Sequence, residues 1–299
     1  MSEPGGGNEL QAIFRATPMP DLGPEPARGA GLLARLRVGA VLLLVGLATL
    51  IGIPLQWLSL KLGLPTRRWI PAVFHRIVLR LIGVRVRVHG APAQGRPLLL
   101  LSNHSSWLDI CVVGSLFPLF FVAKSEVEKW PVIGLLAALQ RSVFVNRQRR
   151  SATGAVNREI AARLAQGDPV VLFAEGTSND GNRILPFRSA LVGAVREAFD
   201  GERQVLVQPM AVSYVRLQGM PMGRSHRPVA AWTGDLELAP HLMEVLRQGA
   251  IDVDVTFGHA RMLDADVDRK RVTRACEAEV RALFSAQILG RAPPPGFAP

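Results

Sequence analysis

Between Val38 and Leu60 the chain carries no charged side chain, and this run limits what the protein can fold into more than any other segment. About 20 apolar residues are enough to cross a bilayer as a helix, so the run must be covered by lipid or by protein. Gly39, Gly46, Gly52 and Pro54 interrupt it. Arg28, Arg35 and Arg37 flank one end and Lys61, Arg67 and Arg68 the other, so positive charge leaves the orientation open. The next segment, Arg67 to Ile82, places Trp69, Ile70, Val73, Phe74, Ile77, Val78 and Leu81 at helical spacing, with Arg68, His75, Arg76 and Arg80 among them. An apolar stripe with cationic edges fits a helix lying in the lipid interface. Residues 31–83 are therefore expected to form a membrane-associated helical segment. Pro54 and the turn from Gly63 to Pro65 are expected to break it into a hairpin that dips into one leaflet, preferred here to a full span. Residues 1–30, rich in Gly, Pro and Ala without periodicity, are expected to be a disordered tail. Acidic residues precede the apolar run, which argues against a cleavable signal.

Beyond residue 83 strand-like and helix-like segments alternate. Val84 to His89 has period two; Pro97 to Ser102, Leu119 to Ala123, Ser142 to Val145, Val170 to Phe173, Val205 to Tyr214 and Ile251 to Phe257 read as further strands. Ser105 to Leu116, Val132 to Leu139, Ala152 to Gln166, Phe187 to Phe199 and Pro240 to Gln248 read as helices. The expectation is one α/β domain over 84–285, a central mixed sheet flanked by helices, with a loose tail over 286–299.

In such a fold chemistry collects where strands end in polar turns. Asn103-His104-Ser105-Ser106-Trp107-Leu108-Asp109 follows the apolar run Pro97 to Ser102. A histidine and a carboxylate five residues apart lie about 140° apart in mid-helix and cannot meet there. They meet if the helix starts between them, with Ser105 or Ser106 as N-cap and Asp109 in the first turn. The product is a base with an orienting acid. The same spacing recurs at His259 and Asp264, but that copy runs into Asp266, Asp268, Arg269, Lys270 and Arg271, the solvated face of a carboxy-terminal helix. His104 is the chosen candidate.

Three further segments fall at strand ends: Val143-Phe144-Val145-Asn146-Arg147, Phe173-Ala174-Glu175-Gly176-Thr177-Ser178 and Val207-Gln208-Pro209-Met210-Ala211-Val212. In this order, with Asn-His-x4-Asp first, they resemble the four blocks of the lysophospholipid acyltransferase family, typified by 1-acylglycerol-3-phosphate acyltransferases, over about residues 65 to 260. Lys124, the turn Trp130-Pro131-x-x-Gly134 and Leu185-Pro186-Phe187-Arg188 match the same family. The resemblance implies a glycerolipid-acyltransferase-type domain behind a two-helix amino-terminal element. It also implies O-acyl transfer from acyl-CoA or acyl carrier protein to a lysolipid hydroxyl, with His104 as general base, Asp109 as its orienting acid, and no metal or cofactor. Lys124, Arg147, Glu175, Gly176, Thr177, Arg183 and Arg188 are the expected substrate-binding residues. Glu175 is equally readable as a structural carboxylate holding its turn. Neither serine is required as a nucleophile, and Gly176-Thr177-Ser178-Asn179-Asp180 lacks the last glycine of a Gly-x-Ser-x-Gly elbow.

Where the family commonly has arginine after the Glu-Gly-Thr triplet, this chain has Ser178. The stretch Asn179 to Ser189 resembles the bacterial lyso-ornithine lipid acyltransferases, whose acceptor carries an amino acid head group in place of a phosphate. Lyso-ornithine lipid is the expected acceptor and lysophosphatidate the alternative, kept open by Arg147, Arg183 and Arg188. A second departure is Gln140-Arg141, where the family often has glycine. A non-catalytic lipid-binding protein is disfavoured because His104 and Asp109 are both present.

The formal charge of +11, from 35 Lys and Arg against 24 Asp and Glu, suits anionic lipid surfaces and anionic donors. Nucleic acid is the other usual partner of such charge. It is disfavoured by few aromatics, a single tyrosine, and basic residues scattered except at Arg147-Gln148-Arg149-Arg150. The expected location is a bacterial inner membrane with the site facing the cytoplasm. Cys111 and Cys276 lack metal or redox spacing and read as buried reduced thiols.

Overall fold

The computed structural model describes residues 31–95, 97–145, 167–192, 205–233, 236–263 and 268–291. The expected tail over 1–30, the helix over 152–166, Arg147 and Asp264 lie outside the described residues. Packing divides the chain after Gly39 into a short amino-terminal unit and a unit from Ala40 to Pro299 that holds every strand.

Helix α1 is Leu32–Lys61, 30 residues long, with only 11% of its most apolar stretch buried. Pro54 lies inside it, which corrects the expected break at that residue. A proline removes one backbone donor but leaves most of a long helix intact. The break comes at Leu62 to Leu64, followed by a 3-10 turn at Pro65–Arg68 and helix α2, Ile70–Ile82. Helix α2 buries Ala72, His75, Val78, Leu79 and Ile82, while Trp69, Val73 and Ile77, spaced by four, face outward. Gly83 ends α2 at φ 82°, and a side chain there would press on the Ala250 backbone.

Among the described residues nine strands form one mixed sheet: β1 Val84–His89, β2 Leu98–Ser102, β3 Phe120–Lys124, β4 Val143–Val145, β5 Val170–Phe173, β6 Val205–Leu217, β7 Met220–Pro221, β8 Ile251–Phe257 and β9 Arg261–Leu263. The order is β1-β8-β6-β2-β5-β3-β4, with β7 and β9 also paired to β6. Strands β6, β2, β5, β3 and β4 are successively parallel, so their carboxyl ends share one edge. Strand β8 runs antiparallel to β6 and parallel to β1. The unbroken apolar run Leu98 to Leu101 is completely buried, as expected of a parallel strand covered on both faces. Pro209 is tolerated inside β6 because it falls between the pairing to β9, which ends at Val207, and the pairing to β8, which begins at Met210.

Shorter helices complete the layers: α3 Leu108–Gly114, α4 Ile133–Leu139 and α5 Leu238–Gln248. Helix α6, Arg269–Ile288, starts at Asp268, whose carboxylate accepts the Lys270 N–H at 2.9 Å. Its Val272, Cys276, Val280, Leu283 and Phe284 join the core beside β2, β5 and β6. Gln140 and Arg141, the departure from glycine, now have a physical account. Arg141 adopts φ 67°, a conformation that favours glycine, and its guanidinium donates to buried Asp168 at 2.7 Å, while the Gln140 amide oxygen meets His75 Nε2 at 3.0 Å.

Candidate active site

Strand β2 ends at Ser102, which pairs with Phe173 on one side and Met210 on the other. That register sets the two residues after β2 beside the two after β5, and Ala174 N donates to Ser102 O at 3.0 Å. Asn103 turns toward the third strand. Its amide donates to Val212 O and accepts from Val212 N, both at 2.9 Å, closing a two-bond clamp between β2 and β6.

His104 Nδ1 lies 2.9 Å from Asp109 Oδ2. The same oxygen accepts the Ser105 and Ser106 N–H groups at 2.7 and 2.9 Å, and Oδ1 accepts the Tyr214 hydroxyl at 2.6 Å. Four donors thus satisfy a carboxylate with no exposed surface, which is what burying one requires. Of the two serines expected as N-cap, Ser106 makes the bond: its Oγ accepts the N–H of Leu108, the first residue of α3, at 3.3 Å, with Trp107 between them already helical in φ and ψ. The Asp109 carboxylate itself takes up the two preceding N–H groups, which keeps residues 105 and 106 outside the helix. Asp109 remains in the first turn, as the spacing argument demands.

With Nδ1 occupied, the lone pair of the neutral ring sits on Nε2, and the His104 side chain is 21% exposed. One ring face stacks on Phe173 at 4.2 Å and 16°, and Phe173 lies in turn against Phe121 at 5.8 Å. The imidazole is therefore held by a hydrogen bond at one edge and an apolar wall on one face, leaving Nε2 to act as a base.

Glu175 faces inward. Its Oε1 accepts the His104 N–H at 3.1 Å, and Oε2 accepts Asn179 Nδ2 at 2.7 Å and Leu185 N at 3.2 Å. Only 1% of its surface is exposed, and its bonds to His104, Asn179 and Leu185 are those of a structural carboxylate holding its turn, the second of the two roles the sequence left open. Burial pushes its carboxyl up to about 7 despite the hydrogen bonds it accepts. Asn179 donates from both N and Nδ2 to His104 O, at 3.2 and 3.0 Å, and Trp232 N donates to Ser105 O at 2.7 Å. Two loops thus grip the backbone of the histidine turn.

The remaining predicted residues divide. Gly176 makes the turn after β5 at φ 75°, with Thr177 half-buried beside it. Lys124 is exposed at the end of β3, on the same sheet edge as His104. Arg188 is exposed and tied through its backbone N to Ala174 O at 2.8 Å. The Arg183 side chain is 72% exposed, 4.0 Å from Asp180. Among the described residues no hydrogen bond joins Lys124, Arg183 or Arg188 to His104. His259, in the second His-x4-Asp copy, pairs with Glu279 at 3.1 Å and is half exposed. Tyr214, Phe173, Asn179 and Trp232 were not singled out from sequence. Three left a trace there without a role: Phe173 opens a family block, Asn179 opens the lyso-ornithine-like stretch, and Tyr214 is the chain's single tyrosine.

Comparison with known proteins meets this geometry from another side. Residues 85–213 match the acyltransferase family model, a span that contains His104, Asp109 and Glu175. The chain is 53% identical over 243 residues to the lyso-ornithine lipid O-acyltransferase of Brucella abortus (strain 2308), covering 80% of this chain and 90% of that protein. It is 48% identical over 257 residues to the enzyme of the same name from Rhizobium meliloti (strain 1021), covering 85% and 88%. The 1-acyl-sn-glycerol-3-phosphate acyltransferase of Neisseria gonorrhoeae is further off, at 31% over 206 residues, covering 68% and 75%. In fold the chain is similar to the crystal structure of the 1-acyl-sn-glycerophosphate acyltransferase of Thermotoga maritima, with a TM-score of 0.57 at 18% identity, over 84% of this chain and 96% of that one. An apolar helix fit to cross a membrane, in a chain so related to lipid enzymes, makes this a membrane-associated protein. With nearly the whole of two named enzymes matched at about half identity, the chain belongs to the lysophospholipid acyltransferase family and is an O-acyltransferase.

Proposed function

We propose that this enzyme moves a fatty acyl group from an acyl thioester to the free hydroxyl of lyso-ornithine lipid, giving ornithine lipid. The observation that carries the reading is the buried Asp109 carboxylate holding His104 by Nδ1, in a chain 53% identical to a protein of that activity. The acceptor hydroxyl gives its proton to His104 Nε2 as its oxygen bonds to the thioester carbonyl carbon. The carbon–sulfur bond then breaks, and the proton on Nε2 goes to the departing thiolate. Asp109 steadies the imidazolium between these steps. The donor is acyl carrier protein or acyl-CoA, and the residues suffice without a metal or cofactor.

We place the acyltransferase domain from residue 84 to the end of α6 at Ile288, which moves the expected boundary at 285 to the end of that core helix, and the enzyme in a bacterial inner membrane with its site on the cytoplasmic face. Supporting this, Trp69, Val73 and Ile77 form an exposed apolar stripe on α2, and Trp130 stands edge-on to Trp232 at 5.9 Å, beside the loop that holds Ser105. Apolar surface close to the histidine turn suits a lipid that stays in the bilayer while its hydroxyl reacts. The exposed guanidinium groups of Arg183 and Arg188 favour lysophosphatidate as a second acceptor.

Membranes carrying the wild-type, His104→Ala or Asp109→Asn protein, given labelled acyl-carrier-protein and acyl-CoA donors with each acceptor in turn, test the reading. The expected result is ornithine lipid from wild type and a loss of about 10²-fold or more in both variants at equal protein level. Equal ornithine lipid formation by His104→Ala would overturn the base assignment. Product from lysophosphatidate alone would overturn the acceptor assignment.

A further inference from the structure

Two loops hold the backbone of the histidine turn, and both meet at one arginine. Asn179, which grips His104 O, begins a loop in which Gly181 N donates to Asn179 Oδ1 at 2.8 Å. Gly181 takes φ 72° and lies against Arg227 and Ala231 of the second loop, whose Trp232 N holds Ser105 O. Arg227 Nη1 donates to Asn182 Oδ1 at 2.9 Å, tying the loops together. Its Nε is shielded from water and has no hydrogen-bond partner among the described residues. Arg224 adds a second positive charge close enough to act on Arg227. Among the described residues neither of the two arginines has a carboxylate partner, since Asp180 pairs with Arg183.

A guanidinium whose Nη1 is spent on an amide still presents the edge formed by Nε and Nη2, and that edge matches two oxygens of a carboxylate or phosphate. A shielded donor without a partner is costly to keep unless something comes to satisfy it. We infer that Arg227, with Arg224 behind it, forms an oxyanion site for the acceptor head group, which on the reading above is the ornithine carboxylate. Both loops that meet at Arg227 also hold the histidine turn, Asn179 at His104 O and Trp232 at Ser105 O, so an anion anchored there is tied to the backbone that carries His104. This inference rests on the proposed acyl transfer and adds a residue that neither the four blocks nor the Glu-Gly-Thr turn contains.

Full-length wild type, Arg227→Gln and Arg227→Lys in membranes are compared on two acceptor pairs: lyso-ornithine lipid against its carboxyl methyl ester, and lysophosphatidate against monoacylglycerol. Wild type is expected to favour the free acid over the ester by about tenfold or more in kcat/KM, the scale of one charge-assisted hydrogen bond. Arg227→Gln should lose that preference, its rate falling more on the free acid than on the ester, a split that a merely disturbed fold, which lowers both rates alike, would not produce. A collapse confined to the phosphate pair supports the oxyanion site and makes phosphate its source. A wild type indifferent to esterification and to phosphate overturns the inference, as does an Arg227→Gln protein that keeps the wild-type ratios. Should Arg227→Gln not accumulate, Arg227→Lys decides: a reduced acid-to-ester ratio supports the site and an unchanged one overturns it. Wild type inactive on lyso-ornithine lipid but active on lysophosphatidate removes the proposed acceptor, and the second pair then judges Arg227 by itself.

Discussion

Asp109 Oδ1 accepts the Tyr214 hydroxyl at 2.6 Å from 105 residues away, and both groups are buried. Tyr214→Phe deletes that donor without changing the ring, leaving one carboxylate oxygen unsatisfied. The expected cost is about 1–3 kcal/mol of stability together with a several-fold fall in kcat, read from thermal midpoint in detergent and from initial rates. No change in either would refute the role. Burial first, and the Asp109 charge second, hold the Tyr214 phenol well above its usual range. Because no other tyrosine is present, phenolate absorbance near 295 nm follows this group alone. Its onset should move to lower pH in Asp109→Asn, and an unmoved onset would deny that the carboxylate acts on it. His104 and Asp109 were legible because they are five residues apart and a single helix start joins them. Tyr214 was not, since its contact exists only through the register of β6 against β2.

The turn after β5 is held to the histidine turn by Glu175, and here pH enters through stability. Its carboxyl is pushed from the ordinary 4.5 up to about 7, so between these values the folded chain keeps a proton that the unfolded chain releases. The stability this confers is complete below about 4.5 and is lost as pH rises through about 7, an effect of about 3 kcal/mol at most. Wild type should therefore lose more of its thermal midpoint between pH 5 and 8 than Glu175→Gln does. Parallel slopes would show that Glu175 does not titrate in that window. Strand positions were readable in the sequence because buried parallel strands such as Leu98 to Leu101 leave continuous apolar runs. The start of α3 was legible because a serine before a helix usually caps it, as Ser106 caps Leu108, whereas the reach of the Asp109 carboxylate back to the Ser105 and Ser106 N–H groups had no local signature. For Glu175 the sequence left binding and structural roles equally open, since the partners that distinguish them come from His104 and Leu185.

Over the whole molecule, exposed apolar surface concentrates on α1, where Leu43 is 72% and Leu50 71% exposed, and continues through the turn at Leu62 and Leu64. Among the described residues no protein covers it, and apolar surface of this extent suits a covering of lipid. Aspartate at Leu43 and Leu47 should cost about 2.5–3.5 kcal/mol each if these residues sit at mid-membrane, and the double variant should leave membranes on alkaline carbonate extraction. Full retention of the double variant would exclude α1 as the anchor. The lower end of α1 is fastened instead to protein, with Gln56 Nε2 donating to Leu139 O at 2.8 Å and to Arg67 O at 3.0 Å. Between the lipid-facing length and this fastening stands Pro54, which has no N–H to offer the Leu50 carbonyl one turn earlier. A helix of 30 residues is about 45 Å long, more than the roughly 30 Å hydrocarbon layer demands. The missing bond weakens the hydrogen-bond ladder at that turn, so where bilayers of different thickness make α1 bend, the bend is expected at Pro54, just before the Gln56 fastening.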